Sequence, residues 1–485
     1  MNESAVYKKL KDEIDKVAKI KLIITTDDFS GDAVTVSHND ILYIKQGTFD
    51  ESGHFECYLE HVGVYTIECN DKSTTIEIDG VGKVFNAKIN DSVVYGFVVS
   101  GSESSPSANI TYIEEAVGMQ PAKMNFISGS FDWGDWGDAF FIPRPCLLNA
   151  NGTVFKYLNP NDYTKDVDGN DVSSYLTGAS GSYNAMMEWG KDHCQIWSKI
   201  VPDQAGTGAT VYISDAQQDE DYHAWSFYGQ DGELKEHFYT PIYNGVNMSS
   251  KLRSVSGKSI LNNVASTTEI QYAVANGSGW YIETYADRVL INLLLMLIGK
   301  STNMQNTFGN GHYTGGSAAG NLLQTGTMNT RGLFWGTNGT GSGVKVFGME
   351  NYWGNQWRRT AGLVNANGTQ KYKLTYGTED GTTANGYNTD GNGYKVASDC
   401  TPGGTSGGYL NVMKWFADGF FGKTASGSET TYWCDGMWFN NSQNNYALFG
   451  GACTSGFRCG AFYVHLSDPV STADWAIGAA PSYHG

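Results

Sequence analysis

The stretch FGMENYWGNQWRR, from Phe347 to Arg359, places four aromatic rings, one acid and two arginines among two glycines. Such a density of rings is typical either of an exposed binding surface or of a packed core. The two interpretations give this stretch different roles. Exposed rings beside Asn and Arg would grip a ligand, whereas buried rings would build the domain that carries the binding residues elsewhere.

The composition is typical of a globular, loop-rich protein. The chain has 485 residues, enough for two or three domains, with 60 Gly, 13% aromatic and only 17% charged residues. The rings supply apolar area to bury, which excludes a disordered chain. Because the formal net charge is −18, the protein would repel phosphate groups, so we expect no nucleic-acid binding and no association with anionic membranes.

Targeting and membrane signals are weak. The start, MNESAVYKKLKDEIDKVAK, is charged and lacks the apolar region of a secretory signal, which favours assembly in the cytoplasm. The most apolar run, VLINLLLMLIG from Val289 to Gly299, is about half a membrane span. We therefore expect no membrane insertion and predict a buried helix over residues 280–300.

Three regions follow from the periodicity, and they predict a β-rich α+β fold. Residues 1–20 form a predicted amphipathic helix, either packed on its own domain or acting in oligomerisation, because its apolar residues repeat at three and four. These residues are Tyr7, Leu10, Ile14 and Val17. Seven short segments of period two over residues 21–92 predict a small Ig-like β-sandwich. Residues 93–485 would form a large domain, and SGSESSPSAN, from Ser100 to Asn109, indicates a linker or an exposed loop.

Two segments of the large domain remain open at this point. The stretch SYNAMMEWGKDHCQIWSKI from Ser182 indicates either a helix edge or a strand pair, and residues 374–395 form a turn-rich excursion.

Catalytic patterns are poor. There is no GxSxG motif, and the histidines are scattered. Asp132, Asp135 and Asp138 in FDWGDWGD could supply the paired carboxylates of a glycosidase. The glycines at 134 and 137 favour turns instead, in which Asp bonds to its own backbone. We predict no catalytic residue.

Metal and cofactor patterns are equally weak. DVDGND, residues 166–171, lacks the EF-hand order, and Asp219, Glu220 and Asp221 are more typical of a solvated acidic loop than of a calcium site. The eight cysteines contain no CxxC pair, which argues against zinc and favours free buried thiols. Cys453 and Cys459 could form a local bridge. We predict no metal and no cofactor.

Glycan binding fits the residue composition better than catalysis or metal binding does. A sugar presents apolar C–H faces for rings and hydroxyls for amides. Rings and Asn are mixed in residues 374–395 and 432–446, which we expect to be exposed loops. The candidate ligand-binding residues are Tyr387, Tyr394, Tyr432, Trp433, Trp438, Asn440, Asn441, Asn444, Asn445 and Tyr446.

A resemblance to C-type-lectin-like domains enters with the final segment. YALFGGACTSGFRCGAFYVHLSDPVSTADWAIGAAPSY, residues 446–483, resembles the closing strands of that fold, and residues 354–357 resemble its G-N-x-W element. The resemblance implies scaffold roles for Trp353, Gly354, Asn355, Trp357, Trp475 and Gly478. It also implies that Glu350, Arg358 and Arg359 pair with one another or with backbone. The calcium-binding triplets EPN, QPD and WND are absent, so calcium-mediated sugar binding is not expected.

Residues 93–122 and 141–164 are similar to uncharacterised structural proteins of gut bacteriophages and prophages, assigned to tail fibres, head fibres or host-adhesion devices. The resemblance covers residues 93–485. It implies a non-enzymatic virion protein that attaches to other virion proteins through its N-terminal part. Its loops would bind a host cell-surface glycan or protein, in a homotrimer or other symmetric oligomer.

Two alternatives remain, one an enzyme and the other purely structural. A polysaccharide-cleaving virion enzyme would use the Asp132 region, and a purely structural decoration protein would bind no glycan. Formylglycine-generating oxidases share the lectin-like fold and use two C-terminal cysteines, but the spacing of Cys453 and Cys459 does not match theirs.

Overall fold

The computed structural model describes residues 20–26, 31–70, 72–78, 84–88, 93–101, 109–190, 195–339, 341, 343–374, 388–397, 407–431 and 433–485. Contacts divide the chain into two compact units, residues 1–92 and 93–485. The predicted β-rich α+β class is confirmed, since strands far outnumber helices. The predicted N-terminal helix lies outside the described residues, apart from Ile20, which begins a strand.

The small unit consists of two facing sheets. Its strands are β1 Ile20–Thr25, β2 Ala33–His38, β3 Ile44–Thr48, β4 His54–Leu59, β5 Gly63–Cys69, β6 Lys72–Ile78 and β7 Val84–Lys88. One sheet has the order β4-β1-β7 and the other β3-β2-β5-β6. Alternate residues point inward because the side-chain period of a strand is two. Leu22 and Ile24 of one sheet and Val36 and Ile67 of the other therefore share one core.

The large unit contains three larger sheets. Its first strands are β8 Val94–Ser100, β9 Asn109–Glu114, β10 Lys123–Asn125, β11 Ser130–Asp132, β12 Arg144–Leu148, β13 Val154–Asn159, β14 Asp162–Asp166, β15 Asn184–Trp189, β16 Trp197–Pro202, β17 Ala209–Ser214, β18 Phe238–Pro241, β19 Val246–Asn247, β20 Leu252–Arg253 and β21 Trp280–Ile282. The remaining strands are β22 Lys345–Val346, β23 Met349–Glu350, β24 Trp357–Ala366, β25 Thr369–Tyr372, β26 Lys395–Val396, β27 Gly407–Tyr409, β28 Val412–Phe416, β29 Gly419–Thr424, β30 Gly436–Phe439, β31 Asn444–Phe449, β32 Val464–Leu466, β33 Ile477–Gly478 and β34 Pro481–Tyr483. The helices are α1 Ser173–Leu176, α2 Ser266–Val274, α3 Tyr285–Gly299 and α4 Met304–Phe308.

Strand order decides between the alternatives for two segments, residues 100–109 and the stretch from Ser182. The sheets run β14-β13-β12-β15-β18-β34-β21, β26-β25-β24-β31-β32-β30-β27 and β16-β17-β8-β9. Ser100 pairs with Asn109, so the segment between them connects a hairpin within one sheet and is no interdomain linker. The stretch from Ser182 contributes β15 and β16, which belong to different sheets and do not pair with each other.

Helix α3 is the predicted buried helix, shortened at its start. Trp280–Ile282 forms strand β21, because it pairs with the C-terminal strand β34. Thr284 then caps the helix by accepting a hydrogen bond from the Asp287 N–H, and the Asp287 carboxylate accepts one in return. Residues 285–298 are all buried. Among the described residues, no helix is long and apolar enough to cross a membrane.

The segment Phe347–Arg359 lies in the core. Tyr352 and Trp353 are fully buried, and Trp357 is nearly so. Gly354 has a φ of +73°, and a Cβ there would come within 2.7 Å of the backbone nitrogen of His312, so only glycine allows this approach. Among the other predicted scaffold residues, Asn355 and Gly478 are also buried. Trp475 is half-buried and packs against a hydrophobic cluster of the large unit.

Buried ion pairs hold this segment in place. Arg288 pairs with Glu283 at 2.8 Å, and Arg358 lies 3.7 Å from the same carboxylate. Arg359 pairs with Glu269. Arg358 also donates to the carbonyl oxygen of Glu350. The Glu350 carboxylate binds the backbone N–H groups of Gly326 and Met328 instead of either arginine. Buried charges are tolerated only when paired in this way.

Candidate functional site

The structure separates the predicted ligand-binding residues into three groups. Those that are half-buried, with part of the side chain accessible, are Trp438, Asn440, Asn441 and Asn444. Those that are buried, against the expectation of exposed loops, are Tyr394, Trp433, Asn445 and Tyr446. Tyr387 and Tyr432 lie outside the described residues.

The buried group is a correction with a clear physical reason. Segment 432–446 is not one continuous loop, because it contains strand β30 and the start of β31. Trp433 packs edge-on against Phe462, with 5.0 Å between ring centres. Tyr446 lies under the Arg359 guanidinium, 4.9 Å from ring centre to carbon. These rings build the core and offer no face to a ligand.

Trp438 occupies an antiparallel strand pair with two glycines. Gly407 lies opposite Trp438, and Tyr409 lies opposite Gly436, so all four share one face of β27 and β30. A Cβ on Gly407 would come within 2.5 Å of the Trp438 ring. The indole therefore lies directly against Gly407, and Tyr409 stands two residues along the same face.

Arg458 completes a cluster with these two rings. Its guanidinium carbon lies 5.1 Å from the centre of the Tyr409 ring and 5.7 Å from that of the Trp438 ring. Both distances allow cation–π attraction. Tyr409, Trp438 and Arg458 are each half-buried, and together they are called the Trp438 surface below.

Apart from these two rings, the Arg458 head group has no hydrogen-bond or ion-pair partner in the described parts of the chain. No carboxylate lies within ion-pair distance of its guanidinium, and its Nε is buried without a hydrogen-bond acceptor. An arginine prefers planar acceptors and stacks on rings, so this one is oriented by the rings while its N–H groups remain unused.

The backbone that carries Arg458 is fixed from beneath. Gln305 of α4 donates from Nε2 to the carbonyl oxygen of Phe457 at 2.6 Å and to that of Cys459 at 2.5 Å. Gln305 is itself buried. Both neighbours of Arg458 are thus held by one rigid side chain, which limits where the guanidinium can go.

Burial sets the local ionisation. It raises the pKa of the Tyr409 hydroxyl, while the Arg458 charge lowers that pKa and exposed Glu429 raises it. Burial also raises the pKa of Asp435, the residue before β30, to about 8, against the lowering effect of a hydrogen bond from the Phe462 N–H at 2.8 Å. Asp435 is therefore mostly protonated at neutral pH.

The Asn-rich turn uses most of its amide groups internally. Asn440 accepts hydrogen bonds from the backbone and hydroxyl of Ser442, and its carbonyl accepts one from Asn365. The Asn445 amide also donates to the Asn440 carbonyl, and Asn444 donates to Asp390. These asparagines shape the turn, and few of their donors remain for a ligand.

The acidic residues considered above for catalysis or metal binding form structural contacts instead. The Asp132 carboxylate accepts a hydrogen bond from the Gly134 N–H, which is typical of turns. The Asp135 carboxylate accepts one from the Gln120 N–H, fifteen positions earlier in the chain. Asp219 and Asp221 both pair with Lys199. Among the described residues, no group of three His, Cys, Asp or Glu side chains could hold a metal ion.

The two C-terminal cysteines are not bridged. Cys453 and Cys459 are free and buried thiols. The Cys459 Sγ donates to the Ala452 carbonyl at 3.3 Å, and burial raises its pKa well above the ordinary range. A buried, protonated thiol is a poor nucleophile and a poor metal ligand.

A cleft of about 600 Å³ lies elsewhere in the large unit, and the sequence did not point to it. Three prolines and apolar side chains line most of it, with Asp138, Arg144 and Tyr157 as its polar groups. The Arg144 guanidinium lies 5.8 Å from the centre of the Tyr157 ring. The cleft contains none of the predicted ligand-binding residues.

Sequence reasoning missed Tyr409, Arg458 and Gln305. The first two come from segments 29 and 20 residues away from Trp438 along the chain. Arg458 was visible as a single arginine in the Asn- and Gly-rich C-terminal segment, but nothing in its local pattern pairs it with a ring.

Comparisons with known proteins add little. No family model matches the chain, and no curated protein matches it. Among solved structures, the Bacillus anthracis TIE protein aligns with a TM-score of 0.14 and 15% identity, over 29% of this chain and 25% of that chain. The alignment thus spans about a quarter of that protein, and at this TM-score it carries no argument about fold or function.

Proposed function

We propose that this chain is a non-enzymatic virion structural protein that binds a host cell-surface saccharide at the Trp438 surface. The observation that carries the binding proposal is the placement of Trp438. Among the predicted rings that the structure describes, it keeps part of its face accessible, whereas Tyr394, Trp433 and Tyr446 are buried.

The geometry of the Trp438 surface supports a sugar ligand. A half-buried indole held on a strand offers a flat apolar face for the C–H groups of a pyranose, at low entropic cost because the ring is already fixed. The Tyr409 hydroxyl and the Arg458 N–H groups stand beside it for hydroxyl groups of the sugar. Because such a site offers only a few contacts, we expect weak binding, with a dissociation constant near millimolar at one site.

The virion assignment rests on the resemblance of residues 93–122 and 141–164 to phage structural proteins. On this proposal, residues 1–92 attach the protein to other virion proteins, and a homotrimer or other symmetric oligomer displays several Trp438 surfaces. Multivalent display would raise weak single-site affinity by two to four orders of magnitude, as is typical of linked sites.

A glycan array probed with the full-length protein tests the proposal. We expect binding to a subset of glycans that Trp438→Ala abolishes and Trp225→Ala leaves unchanged, because Trp225 is also half-buried but lies outside the Trp438 surface. Absence of glycan binding, with firm binding of virion subunits through residues 1–92, would support a purely structural protein. Polysaccharide turnover that Asp132→Asn or Asp135→Asn removes would support an enzyme.

A further inference from the structure

We propose that the Trp438 surface selects a saccharide carrying an oxyanion, with Arg458 binding the anion while Trp438 stacks on the sugar ring. This inference rests on the proposed function and adds the ligand class. The anionic group would be a carboxylate, as in a uronic acid, or a phosphate substituent, since an arginine recognises both through paired N–H donors.

The first argument is the contrast with the buried arginines of this protein. Arg288 and Arg358 share Glu283, and Arg359 pairs with Glu269. Arg253 donates to the Asn184 amide oxygen and to a backbone carbonyl. Arg458 is half-buried against two rings but has no hydrogen-bond acceptor and no carboxylate partner in the described residues. A partly desolvated guanidinium without an acceptor gains the most from an anion.

The second argument is preorganisation. Two rings and the Gln305 hydrogen bonds to both neighbouring carbonyls hold Arg458 in one place. Little side-chain entropy remains to be lost when its N–H groups bind an oxyanion. A neutral sugar hydroxyl would satisfy one donor, whereas a carboxylate or phosphate satisfies two at once.

Negative charges on the protein repel an anionic ligand, and the salt concentration sets how far this repulsion reaches. Glu429 is exposed and lies near enough to raise the pKa of the Tyr409 hydroxyl, which the Arg458 charge lowers. The chain as a whole carries −18. At physiological ionic strength these repulsions are screened beyond roughly 8 Å, while the direct contact between Arg458 and a bound oxyanion is not. Binding is therefore best measured near 0.15 M salt.

Titration calorimetry with three matched ligands tests the inference on the full-length protein. The ligands are a glucuronate-bearing oligosaccharide, the same oligosaccharide after reduction of its carboxyl groups to alcohols, and a version of the neutral form carrying a phosphate. We expect the carboxylate or the phosphate form to bind about tenfold or more tightly than the neutral form. Arg458→Gln should remove that preference, because it weakens binding of the charged forms far more than binding of the neutral form, and Arg458→Lys should retain part of it.

The outcomes separate the two proposals. The inference is overturned if the wild type binds all three forms equally, or if Arg458→Gln keeps the preference. If the wild type binds all three forms equally and Trp438→Ala abolishes that binding, the anion selectivity fails but the proposed saccharide binding stands. If none of the three saccharides binds, the inference fails, and the glycan array decides whether the proposed function fails as well. An unchanged melting temperature of Arg458→Gln shows that a lost preference is not caused by unfolding.

Discussion

Gln305 and Phe457 are joined by a hydrogen bond of 2.6 Å, from the Gln305 Nε2 to the Phe457 carbonyl oxygen, across 152 positions of the chain. The bond links a short helix to the turn that carries Arg458. The binding residue itself is therefore positioned by a buried amide that touches no ligand.

Gln305→Ala should weaken both stability and binding. The change leaves the carbonyl oxygens of Phe457 and Cys459 without their donor, at a cost of about 1–3 kcal/mol in the free energy of unfolding. The turn at Arg458 would loosen, so saccharide affinity should fall even where the protein remains folded. Denaturant unfolding and calorimetry measure the two effects. Gln120→Ala, at an exposed position, is the matched control and should change neither.

Gly407→Ala should displace the Trp438 ring. A Cβ at this position would lie within 2.5 Å of the indole, so the ring or the strand must move, at a cost of about 1–3 kcal/mol. We expect a lower melting temperature, altered tryptophan fluorescence and weaker saccharide binding. Gly320→Ala is the control, because a Cβ there has no neighbouring atom within 4 Å. Wild-type binding by Gly407→Ala would show that the close contact of the indole with Gly407 is unnecessary for binding.

Asp435 should make the protein less stable as pH rises. Burial raises the pKa of this carboxyl to about 8 in the folded protein, while an unfolded chain has the ordinary value near 4. Between these two values the folded state holds a proton that the unfolded state has released. The free energy of unfolding therefore falls with rising pH, by at most 1.36 kcal/mol per unit for one proton.

Asp435→Asn removes this titration. We expect a flatter stability profile between pH 4 and 8 and a gain relative to the wild type at pH 8, measured by denaturant unfolding at several pH values. The amide oxygen of Asn can still accept the hydrogen bond from the Phe462 N–H. An unchanged slope in the variant would place the proton uptake on another group.

Arg288→Met should be strongly destabilising. The side chain is buried, pairs with Glu283 at 2.8 Å and lies 4.1 Å from the centre of the Tyr352 ring. Its loss leaves the Glu283 charge buried with only the more distant Arg358, and breaking a buried pair costs about 3–5 kcal/mol. Arg331→Met, on an exposed arginine, should change the free energy of unfolding by less than about 1 kcal/mol. Similar values for both variants would remove the buried network as a source of stability.

Much of the local structure could be predicted from sequence. The seven strands of the small unit follow from a period of two in their apolar residues, and helix α3 follows from its long apolar run. Helix α3 lost its first residues because Trp280–Ile282 pairs with a strand about 200 positions later, which no local pattern reveals. The burial of the rings in Phe347–Arg359 agrees with the interpretation of that stretch as scaffold.

The candidate site could be predicted only in part. Trp438 and three asparagines keep accessible surface, whereas Trp433, Tyr446, Tyr394 and Asn445 do not. Composition counts rings and amides but cannot say which way a strand faces. A shift of one residue reverses that direction, and so Trp438 is accessible while Met437 is buried.

The sequence by itself determined the class of the fold, because periodicity and turn residues are local properties that each segment carries alone. It also indicated a globular chain with enough aromatic area to build a core. Only the tertiary structure decided which ring stayed accessible and which arginine lacked a partner. Both depend on contacts between distant segments: strand pairing turned Trp438 outward, and Gln305 set Arg458 beside it.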